Sequence, residues 1–317
     1  MIKLGVVMDP IASVNYQKDS SLSMLIEAQS RGYEIHYMEM SDLYLYRGEA
    51  RARTRCLLNI QRRFYPCFSF SNEKDISLSY LNVILMRKNP PLDSEFLYAT
   101  YILERAEELG TVIINKPQSL RDCNEKLFTT WFSDLTPDTL VTRNTQHILS
   151  FLQEHNDIIL KPLNGMGGES VFRVRKEDPN ISVIIETMTK HGTVYCMAQD
   201  YLPSIIYGDK RVLIVDGEAV PYCLARMPQL GETRGNLAVG GYGEARPLSS
   251  DDLKIVHRVA PILQQKGLIF AGLDVIGDKL TEINVTSPTC ICEIETAFPV
   301  SITGMLMDVI EKRFPEC

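Results

Sequence analysis

The chain has 317 residues, of which 45% are hydrophobic and 23% charged, and its formal net charge at pH 7 is −7. The length excludes a peptide hormone and allows about two domains or one large α/β unit, and the hydrophobic share excludes wholesale disorder. The acidic balance argues against a surface for nucleic acid or for an anionic membrane, although a local basic pocket remains compatible with it.

The first third of the chain alternates predicted strands and helices. Short apolar runs predict buried strands at residues 4–8, 83–86 and 112–114. Apolar residues at helical spacing predict helices at residues 20–31 and 94–109. Asp19 or Ser20 is a suitable N-cap for the first of these helices, and Gly32 follows its end. This rhythm predicts a mainly parallel sheet with helices on both faces. Its ligand-facing loops are then residues 9–15 and 87–91.

The pattern changes in the second part of the chain. Further helices are predicted at residues 119–131, 145–155 and 250–266. Strands are predicted at residues 158–162, 171–174 and 194–199. Asp216-Gly217 and Gly277-Asp278 each mark a hairpin. The polar, glycine-rich residues 227–243 predict either a disordered insertion or a functional lid, because long structureless loops are otherwise uncommon in compact domains.

Cysteine usage and apolar run lengths bear on the compartment. The eight cysteines form no CxxC pair, which favours reduced thiols over a disulfide framework or a zinc ribbon. The apolar residues 1–8 are too few for a signal peptide, and no stretch approaches the roughly 20 apolar residues of a membrane span. We therefore expect a cytoplasmic protein.

A glycine loop follows the predicted strand that ends at Lys161. The loop, Gly165-Met-Gly-Gly168, would let backbone N–H groups approach phosphate oxygens, and the lysine adds a positive charge. The segment is neither a Walker A motif nor a dinucleotide fingerprint, because no Gly-Lys-Ser/Thr follows and the next element is a predicted strand. A flexible hairpin loop beside a solvated lysine is the alternative.

The hairpin at residues 270–284 contains three oxygen-bearing side chains in an apolar setting, Asp274, Glu282 and Asn284. A three-residue loop at 277–279 would place Asp274 opposite Glu282 and put all three on one face, whereas a two-residue turn would disturb that pairing. Hard oxygen ligands of this kind suit magnesium that carries phosphates. The alternative is an exposed polar face on an edge hairpin.

Arg211 and Arg226 belong to the other predicted hairpin. A type I′ turn at Asp216-Gly217 would pair Val215 with Glu218 and Arg211 with Tyr222, which puts both arginines on the same sheet face. Planar carboxylate or phosphate is the anion that such guanidinium groups bind best. Salt bridges to nearby acids, or simple solvation, are the alternatives.

Several motifs together resemble known families. Asn124-Glu-Lys126, Lys161, the glycine loop, Gly208-Asp-Lys-Arg211 and the Asp274 to Asn284 hairpin resemble the ATP-grasp superfamily. Met8-Asp-Pro10, Arg87-Lys-Asn-Pro-Pro91, Asn115 to Lys126 and Thr286-Ser-Pro-Thr-Cys290 resemble bacterial glutathione synthetases more narrowly. The likeness extends over essentially the whole chain and is weakest at residues 49–80.

The resemblance implies an α/β protein of the ATP-grasp fold. Residues 1–123 would form an N-terminal, mainly parallel α/β domain that binds substrate. Residues 124–317 would form the ATP-grasp domain, with a central lid subdomain at about 124–200 and a C-terminal subdomain at about 201–317 that contain antiparallel sheets. The implied activity is the ATP-dependent ligation of γ-glutamylcysteine and glycine through an acyl phosphate, in a homo-oligomer, a tetramer by resemblance, that binds neither nucleic acid nor membrane.

The resemblance also implies roles for individual residues. ATP would bind at Lys126, Lys161, Gly165, Gly167, Gly168, Gln199, Tyr201, Leu202 and Asp209. Mg²⁺, or Mn²⁺ in its place, would bind at Asp274, Glu282 and Asn284. The γ-glutamylcysteine would bind at Asp9, Arg87, Arg211 and Arg226, and the catalytic residues would be Arg211, Arg226 and Arg234, the last of them on the lid.

One departure and two alternatives accompany the resemblance. Similar proteins commonly have arginine where this chain has Cys292, which leaves an anion contact there open; as thiols, Cys290 and Cys292 are better explained by packing than as nucleophiles. The alternatives are another ATP-grasp ligase, which joins D-alanines or adds glutamate to a protein, and a nucleotide-binding regulator without turnover. The lysines and the metal hairpin argue against the regulator, and Arg87 and Arg211 favour a dianionic peptide over D-alanine.

Overall fold

The computed structural model describes residues 1–62, 68–229, 231–232, 234–237 and 240–315, and it contains three β-sheets. Cys67, Cys317 and part of the predicted lid therefore lie outside the described residues. Within the described ranges, no helix is both long enough and apolar enough to cross a membrane. The cysteines of these ranges, Cys56, Cys123, Cys196, Cys223, Cys290 and Cys292, are free thiols.

The first sheet is built from the N-terminal strands. Its strands are β1 (Lys3–Met8), β2 (Glu34–Met38), β3 (Leu43–Tyr46), β4 (Glu49–Ile60), β5 (Phe68–Ser77), β6 (Val83–Arg87) and β7 (Val112–Ile114). Its helices are α1 (Ser20–Ser30), α2 (Ser94–Glu107) and α3 (Pro117–Asp122). The strands β2, β1, β6 and β7 pair in parallel, as the alternating pattern predicts. Asp19 caps α1 by accepting a hydrogen bond from the Leu22 amide.

The edge of this sheet departs from the predicted parallel arrangement. Strand β4 pairs antiparallel with β2, β3 and β5, so residues 43–77 add three antiparallel strands to the parallel ones.

The helix predicted at residues 119–131 is wrong as one element. Its first part belongs to α3, which ends at Asp122, and a separate 3₁₀ helix covers Leu127–Phe132. Other 3₁₀ helices cover Ile11–Ser13, Met40–Asp42, Leu78–Tyr80 and Pro203–Tyr207.

The second sheet is small and fully antiparallel. Its strand order is β10-β9-β11-β8. The strands are β8 (Thr139–Thr142), β9 (Asp157–Pro162), β10 (Phe172–Arg175) and β11 (Cys196–Asp200), and the helices are α4 (Thr145–His155) and α5 (Ile181–Thr189). Asn144 caps α4 by accepting hydrogen bonds from two amides of its first turn.

The third sheet is also antiparallel, in the order β14-β13-β12-β15-β16. Its strands are β12 (Asp209–Val215), β13 (Glu218–Met227), β14 (Tyr242–Pro247), β15 (Phe270–Ile276) and β16 (Lys279–Asn284). The helices are α6 (Ser250–Gln265), α7 (Ile291–Ala297) and α8 (Ile302–Glu311).

The three sheets do not share one core. Both large buried clusters contain side chains from the first and the third sheet, for example Val7 with Val212 and Val6 with Leu213. The buried Asn115 side chain also joins these two sheets, since its amide donates to the carbonyls of Phe270 and Val285, at 2.7 Å each. Among the described residues, the core of the second sheet is a separate cluster formed with α4 and α5.

Candidate active site

Two neighbouring cavities meet at the metal hairpin predicted from the sequence. The first cavity is lined by residues of the second and third sheets, and the second by the residues that follow β16 together with Arg211 and Arg226. Asp274 and Glu282 line both cavities, as do Met166, Gly167 and Asn236. The two carboxylates therefore lie where the cavities meet.

The β15–β16 hairpin pairs Asp274 with Glu282, as predicted, but with a different turn. Gly277 and Asp278 form a two-residue turn, so Ile276 pairs with Lys279, and the predicted three-residue loop is wrong. A bulge between Asp274 and Val275 adds one residue on β16, Thr281, and this restores the pairing of Asp274 with Glu282. The expectation that a two-residue turn would disturb the pairing fails because the bulge compensates for the shorter loop.

The carbonyl of the bulged Thr281 accepts a hydrogen bond from the Lys161 ammonium group at 3.1 Å. Lys161 is buried, and burial lowers its pKa to about 8, an effect that the Glu282 carboxylate offsets only in part. Lys126 is also buried; its ammonium donates to the Gly165 carbonyl at 2.6 Å and to Glu282 Oε1 at 2.9 Å. Burial alone would lower the pKa of Lys126, but the attraction of Glu282 outweighs it and raises that pKa.

Arg211 and Arg226 share a face of the third sheet, but not in the predicted register. Val215 pairs with Glu218 as expected, whereas an irregularity between Val212 and Ile214 makes Arg211 pair with Leu224 instead of Tyr222. The shift is by two residues, an even number, and therefore keeps both guanidinium groups on one side.

Both arginines are bound to acids, as the salt-bridge alternative predicted. Arg211 donates to both oxygens of Asp274, at 2.6 and 3.1 Å, and Arg226 lies 2.9 Å from Asp274 and 2.5 Å from Asp209. Burial would raise the pKa of Asp274, but the two guanidinium groups hold it below its usual range. The same ion pairs raise the pKa of Arg211 and Arg226 against the effect of burial.

Asp209 lines the first cavity and is incompletely paired. Its Oδ2 accepts from Arg226, but its Oδ1 is buried without a hydrogen-bond partner among the described residues. Burial raises the pKa of Asp209 to about 6 despite the nearby arginine. An unsatisfied buried oxygen is costly, and a hydroxyl group of a ligand in the cavity would satisfy it.

The end of β11 forms one wall of the first cavity through Gln199, Tyr201 and Leu202. The Gln199 amide donates to Thr139 Oγ1 at 3.0 Å, which fixes its orientation. The Arg173 guanidinium carbon lies 3.5 Å from the centre of the Tyr201 ring, and the Tyr201 amide donates to the carbonyl of Asp157 at 3.1 Å. The backbone that borders this wall is therefore held to β9 and β10.

The glycine loop and Arg234 close over the same cavity. Gly165, Gly167 and Gly168 line it, and Gly167 and Gly168 have φ values of 62° and 81°, a region that favours glycine. Arg234 donates from Nη1 to the Gly168 carbonyl at 3.0 Å and lies 2.6 Å from Glu232. The loop of the second sheet and the segment after β13 are thus in direct contact.

The second cavity contains polar residues to which the sequence motifs gave no role. Besides Asn284, its lining includes Glu125, Thr286, Ser287, Thr289 and Cys290. Glu125 accepts hydrogen bonds from the amides of Val285 and Thr286 and from the Thr286 hydroxyl, and burial raises its pKa. The run of hydroxyl residues directly after the metal hairpin was the available signal in the sequence.

Asp9 and Arg87 were expected to contact γ-glutamylcysteine, but the structure gives them different contacts. Within the described part of the chain, neither residue lines the first or the second cavity. Asp9 pairs with Lys88 at 2.7 Å and accepts from the Asn89 amide at 3.1 Å, so it orders the loop that follows β6. Arg87 is buried, donates to Ser21 Oγ and to the Pro288 carbonyl, and has its pKa lowered to about 10 by burial.

Cys292 is occupied by contacts with the N-terminal part of the chain. Its sulfur lies 3.1 Å from Ser23 Oγ and 3.2 Å from Nη2 of Arg62. Arg62 also donates to the carbonyls of Tyr16 and Asp19. In this chain, a guanidinium group from the segment that follows β4 is therefore present beside position 292.

Comparisons with known proteins agree over the whole chain. Family models for the N-terminal domain and the ATP-grasp domain of prokaryotic glutathione synthetase match residues 2–121 and 125–299. The glutathione synthetase of Shigella flexneri is 69% identical over 100% of both chains, and that of Photorhabdus laumondii subsp. laumondii is 68% identical over 99% of both. The ATP-grasp ligase PsnB, solved with minimal precursor, Mg and ADP, has a similar fold, with a TM-score of 0.63 at 17% identity over 98% of this chain and 97% of its own.

Proposed function

This chain belongs to the prokaryotic glutathione synthetase family, and from that premise we propose how its residues carry out the reaction. It is an ATP-grasp enzyme that ligates γ-glutamylcysteine and glycine to give glutathione, ADP and phosphate. A ligase of the D-alanine or glutamate type, and a regulator without turnover, are not favoured. The roles of individual residues below are our assignment.

The observation that carries this assignment is the junction of the two cavities at Asp274 and Glu282. In a ligase of this class, the γ-phosphate of ATP must reach the carboxylate of the second substrate. A nucleotide in the first cavity and a peptide in the second would bring these groups together beside the two carboxylates. The geometry supports direct phosphoryl transfer between the cavities.

The first cavity suits ATP. Lys126 and Lys161 would bind its phosphates, and the amides at Gly165, Gly167 and Gly168 would approach the phosphate oxygens. The adenine would lie against Gln199, Tyr201 and Leu202. The unpartnered Oδ1 of Asp209 would accept a hydrogen bond from a ribose hydroxyl group. Arg234 would hold the glycine loop closed over the nucleotide.

The junction also suits a divalent metal, which the enzyme family requires. Asp274 and Glu282 offer carboxylate oxygens, and the Asn284 amide nitrogen donates to the Gly272 carbonyl at 3.3 Å, which leaves its oxygen as the available ligand atom. An all-oxygen donor set fits Mg²⁺, with Mn²⁺ as a substitute. The bound metal would neutralise charge on the phosphoryl oxygens.

The second cavity suits the dipeptide and glycine. Arg211 and Arg226 line this cavity and are paired with Asp274 at the junction, so they would stabilise the charge on the transferred phosphoryl group. Arg87 donates to the Pro288 carbonyl, so it would act by holding the segment that bears Ser287 and Thr289. Asp9 would act in the same indirect way, because it orders Asn89, which lines this cavity.

The mechanism follows from the weakness of a carboxylate as an acyl donor. The cysteinyl carboxylate attacks the γ-phosphorus, the bond to ADP breaks, and an acyl phosphate forms. The glycine amine then attacks the acyl carbon, a peptide bond forms and phosphate leaves. Closure of the glycine loop and of the segment bearing Arg234 excludes water, which would otherwise hydrolyse the acyl phosphate.

An isotope experiment tests this assignment. With γ-glutamylcysteine labelled by ¹⁸O in its cysteinyl carboxylate, one labelled oxygen should appear in the released phosphate for each glutathione made. Phosphate release should require ATP, γ-glutamylcysteine and glycine together, and D-alanine should not replace the last two. Label released into water, with none in the phosphate, would contradict direct transfer to the carboxylate.

We also propose a cytoplasmic homo-oligomer, a tetramer by family resemblance. Light scattering after size exclusion tests the subunit number. A monomeric mass would contradict the proposal.

A further inference from the structure

A polar cluster outside the active site lies on one face of the first sheet. His36 of β2 pairs directly with Cys56 of β4, and Glu34 and Thr54 each precede one of them by two residues, so all four side chains share this face. His36 is 1% exposed and Thr54 is 2% exposed, whereas Glu34 and Cys56 are half-buried and can be reached from solvent. None of the four lines the cavities of the active site within the described chain.

The donor atoms of this cluster are close to one another. Nε2 of His36 lies 2.8 Å from Oε1 of Glu34, and Sγ of Cys56 lies 3.8 Å from both ring nitrogens of His36. The three donor atoms lie within 4.8 Å of one another. Tetrahedral bonds of zinc to nitrogen, oxygen and sulfur imply donor separations of about 3.3 to 3.6 Å. The separation between Glu34 and His36 must widen by about 0.6 Å to enter this range. Sγ of Cys56 is equally far from the two ring nitrogens, so it must swing toward Nε2, by rotation of the Cys56 side chain to another staggered conformer, before one ion can bind all three donors.

The second nitrogen of His36 is oriented as in metal centres. Nδ1 lies 2.8 Å from Oγ1 of the buried Thr54. When Nδ1 donates to this hydroxyl oxygen, Nε2 keeps its lone pair on the side of Glu34. A hydrogen bond of this kind fixes the tautomer of a histidine ligand and its ring orientation.

We propose that Glu34, His36 and Cys56 bind one zinc ion, with solvent in the fourth position. On binding, the thiol of Cys56 releases its proton to solvent, and the thiolate and carboxylate balance the charge of the ion. A thiolate and an imidazole suit zinc, whereas the oxygen donors at Asp274, Glu282 and Asn284 suit magnesium, so the two sites select different metals. Lys3 pairs with Glu34 and Lys74 with Thr54 across neighbouring strands, and their charges moderate the affinity without blocking Nε2. The ion would connect β2 to the antiparallel edge of the sheet.

Cobalt titration tests this proposal on the full-length protein. The parent carries Cys67→Ser and Cys317→Ser, and excess Mg²⁺ occupies the oxygen-donor site. One equivalent of Co²⁺ should give tetrahedral ligand-field absorption and a thiolate-to-cobalt charge-transfer band, and Zn²⁺ should abolish both. Cys56→Ser should remove the charge-transfer band, and His36→Gln should weaken Co²⁺ binding by at least about tenfold.

Cys292→Ser is the matched control, because it removes another half-buried thiol, and it should keep the band. Ligase activity and the far-ultraviolet circular dichroism of Cys56→Ser should equal those of the parent, which separates loss of metal binding from misfolding. This test does not depend on the assignment of the active-site residues. Absence of a thiolate band at one equivalent, or a band that survives Cys56→Ser, would overturn the proposal.

Discussion

Lys161 is deeply buried, and among the described residues its ammonium group has one hydrogen bond, to the Thr281 carbonyl. Its pKa is lowered to about 8 by burial, so the ammonium form, which we assign to the phosphates, predominates below that pH and is lost above it. Lys126 differs because Glu282 holds it in the charged form. At the scale of single residues, the two lysines therefore respond differently to pH.

This difference predicts the pH dependence of nucleotide binding. Above pH 8, ATP binding must be accompanied by proton uptake at Lys161, so we expect the affinity for a non-hydrolysable ATP analogue to fall by up to about tenfold per pH unit. Calorimetry without glycine measures this and avoids titration of the acceptor amine. Lys161→Arg keeps its charge and should remove the decline; an unchanged decline in this variant would assign it to another group.

Glu282→Gln should abolish turnover and keep the fold. The substitution preserves shape but removes a charge that we assign to the metal site and the partner of Lys126, and we expect kcat to fall by at least about 100-fold. Steady-state kinetics over a range of Mg²⁺ concentrations, with a thermal melt, measures both parts. Glu244→Gln is the control, because Glu244 is an exposed residue of β14 paired with Arg246. Activity within a few-fold of the parent would remove Glu282 from the site.

At the scale of elements, the two central hairpins show what a sequence can and cannot predict. The pairing of Asp274 with Glu282 follows from the apolar alternation of both strands, because a shift by one residue would turn the acids to the apolar face of the hairpin. The position of a bulge leaves no comparable pattern, since inserting Thr281 alters backbone pairing while the side chains beyond it keep their faces. The same reason explains the missed register of Arg211. The antiparallel strands within residues 43–77 could not be predicted in the same way, because no α-helix alternates with them as it does with the parallel strands.

The cavity wall formed by the end of β11, which β9 and β10 support, gives a prediction about ATP. Arg173 covers the Tyr201 ring and binds Asp157 through both carboxylate oxygens, at 2.9 and 2.5 Å. Arg173→Ala should raise KM for ATP by about threefold to tenfold, the range expected from one cation–π contact, with kcat within about twofold. Initial-rate kinetics measures this split.

Arg175→Ala provides the matched control for Arg173. Arg175 lies 3.5 Å from the same Asp157 carboxylate but is mostly exposed. It should leave KM for ATP unchanged. An equal effect of both substitutions would mean that charge near Asp157 matters, and that the position of Tyr201 does not.

At the scale of the whole molecule, the first and third sheets share buried clusters, whereas the second sheet has its own. The fold class could be predicted from the motifs and the strand and helix rhythm. This division of the core could not, because it depends on contacts between residues far apart in the chain. A sheet with a separate core can move as a unit against the other two, and the contact of Arg234 with Gly168 crosses that division.

Limited proteolysis tests whether this contact depends on ligands. Trypsin should cleave after Arg234 readily in the free enzyme, because residues 227–243 are rich in glycine and poor in apolar anchors. ATP, Mg²⁺ and γ-glutamylcysteine together should slow the cleavage, since charge-assisted hydrogen bonds of about 1.5–3 kcal/mol each would favour closure. The Arg234→Gln variant lacks this cleavage site, so the fragment that disappears from its digest is the one produced by cleavage after Arg234. An unchanged rate would mean that the segment plays no part in closing the site.

The ion pairs of the active site have a thermodynamic consequence. Lys126 is bound to Glu282, and Arg211 and Arg226 are bound to Asp274, so these three cations, which we assign to the phosphates, hold the acids that we assign to the metal. Ligand binding is then an exchange of ion-pair partners. A nucleotide that bound alone would leave the acids without their cations, and a metal that bound alone would leave the cations without their acids. Each ligand removes a penalty for the other, and by linkage the affinities for nucleotide and metal rise by the same factor.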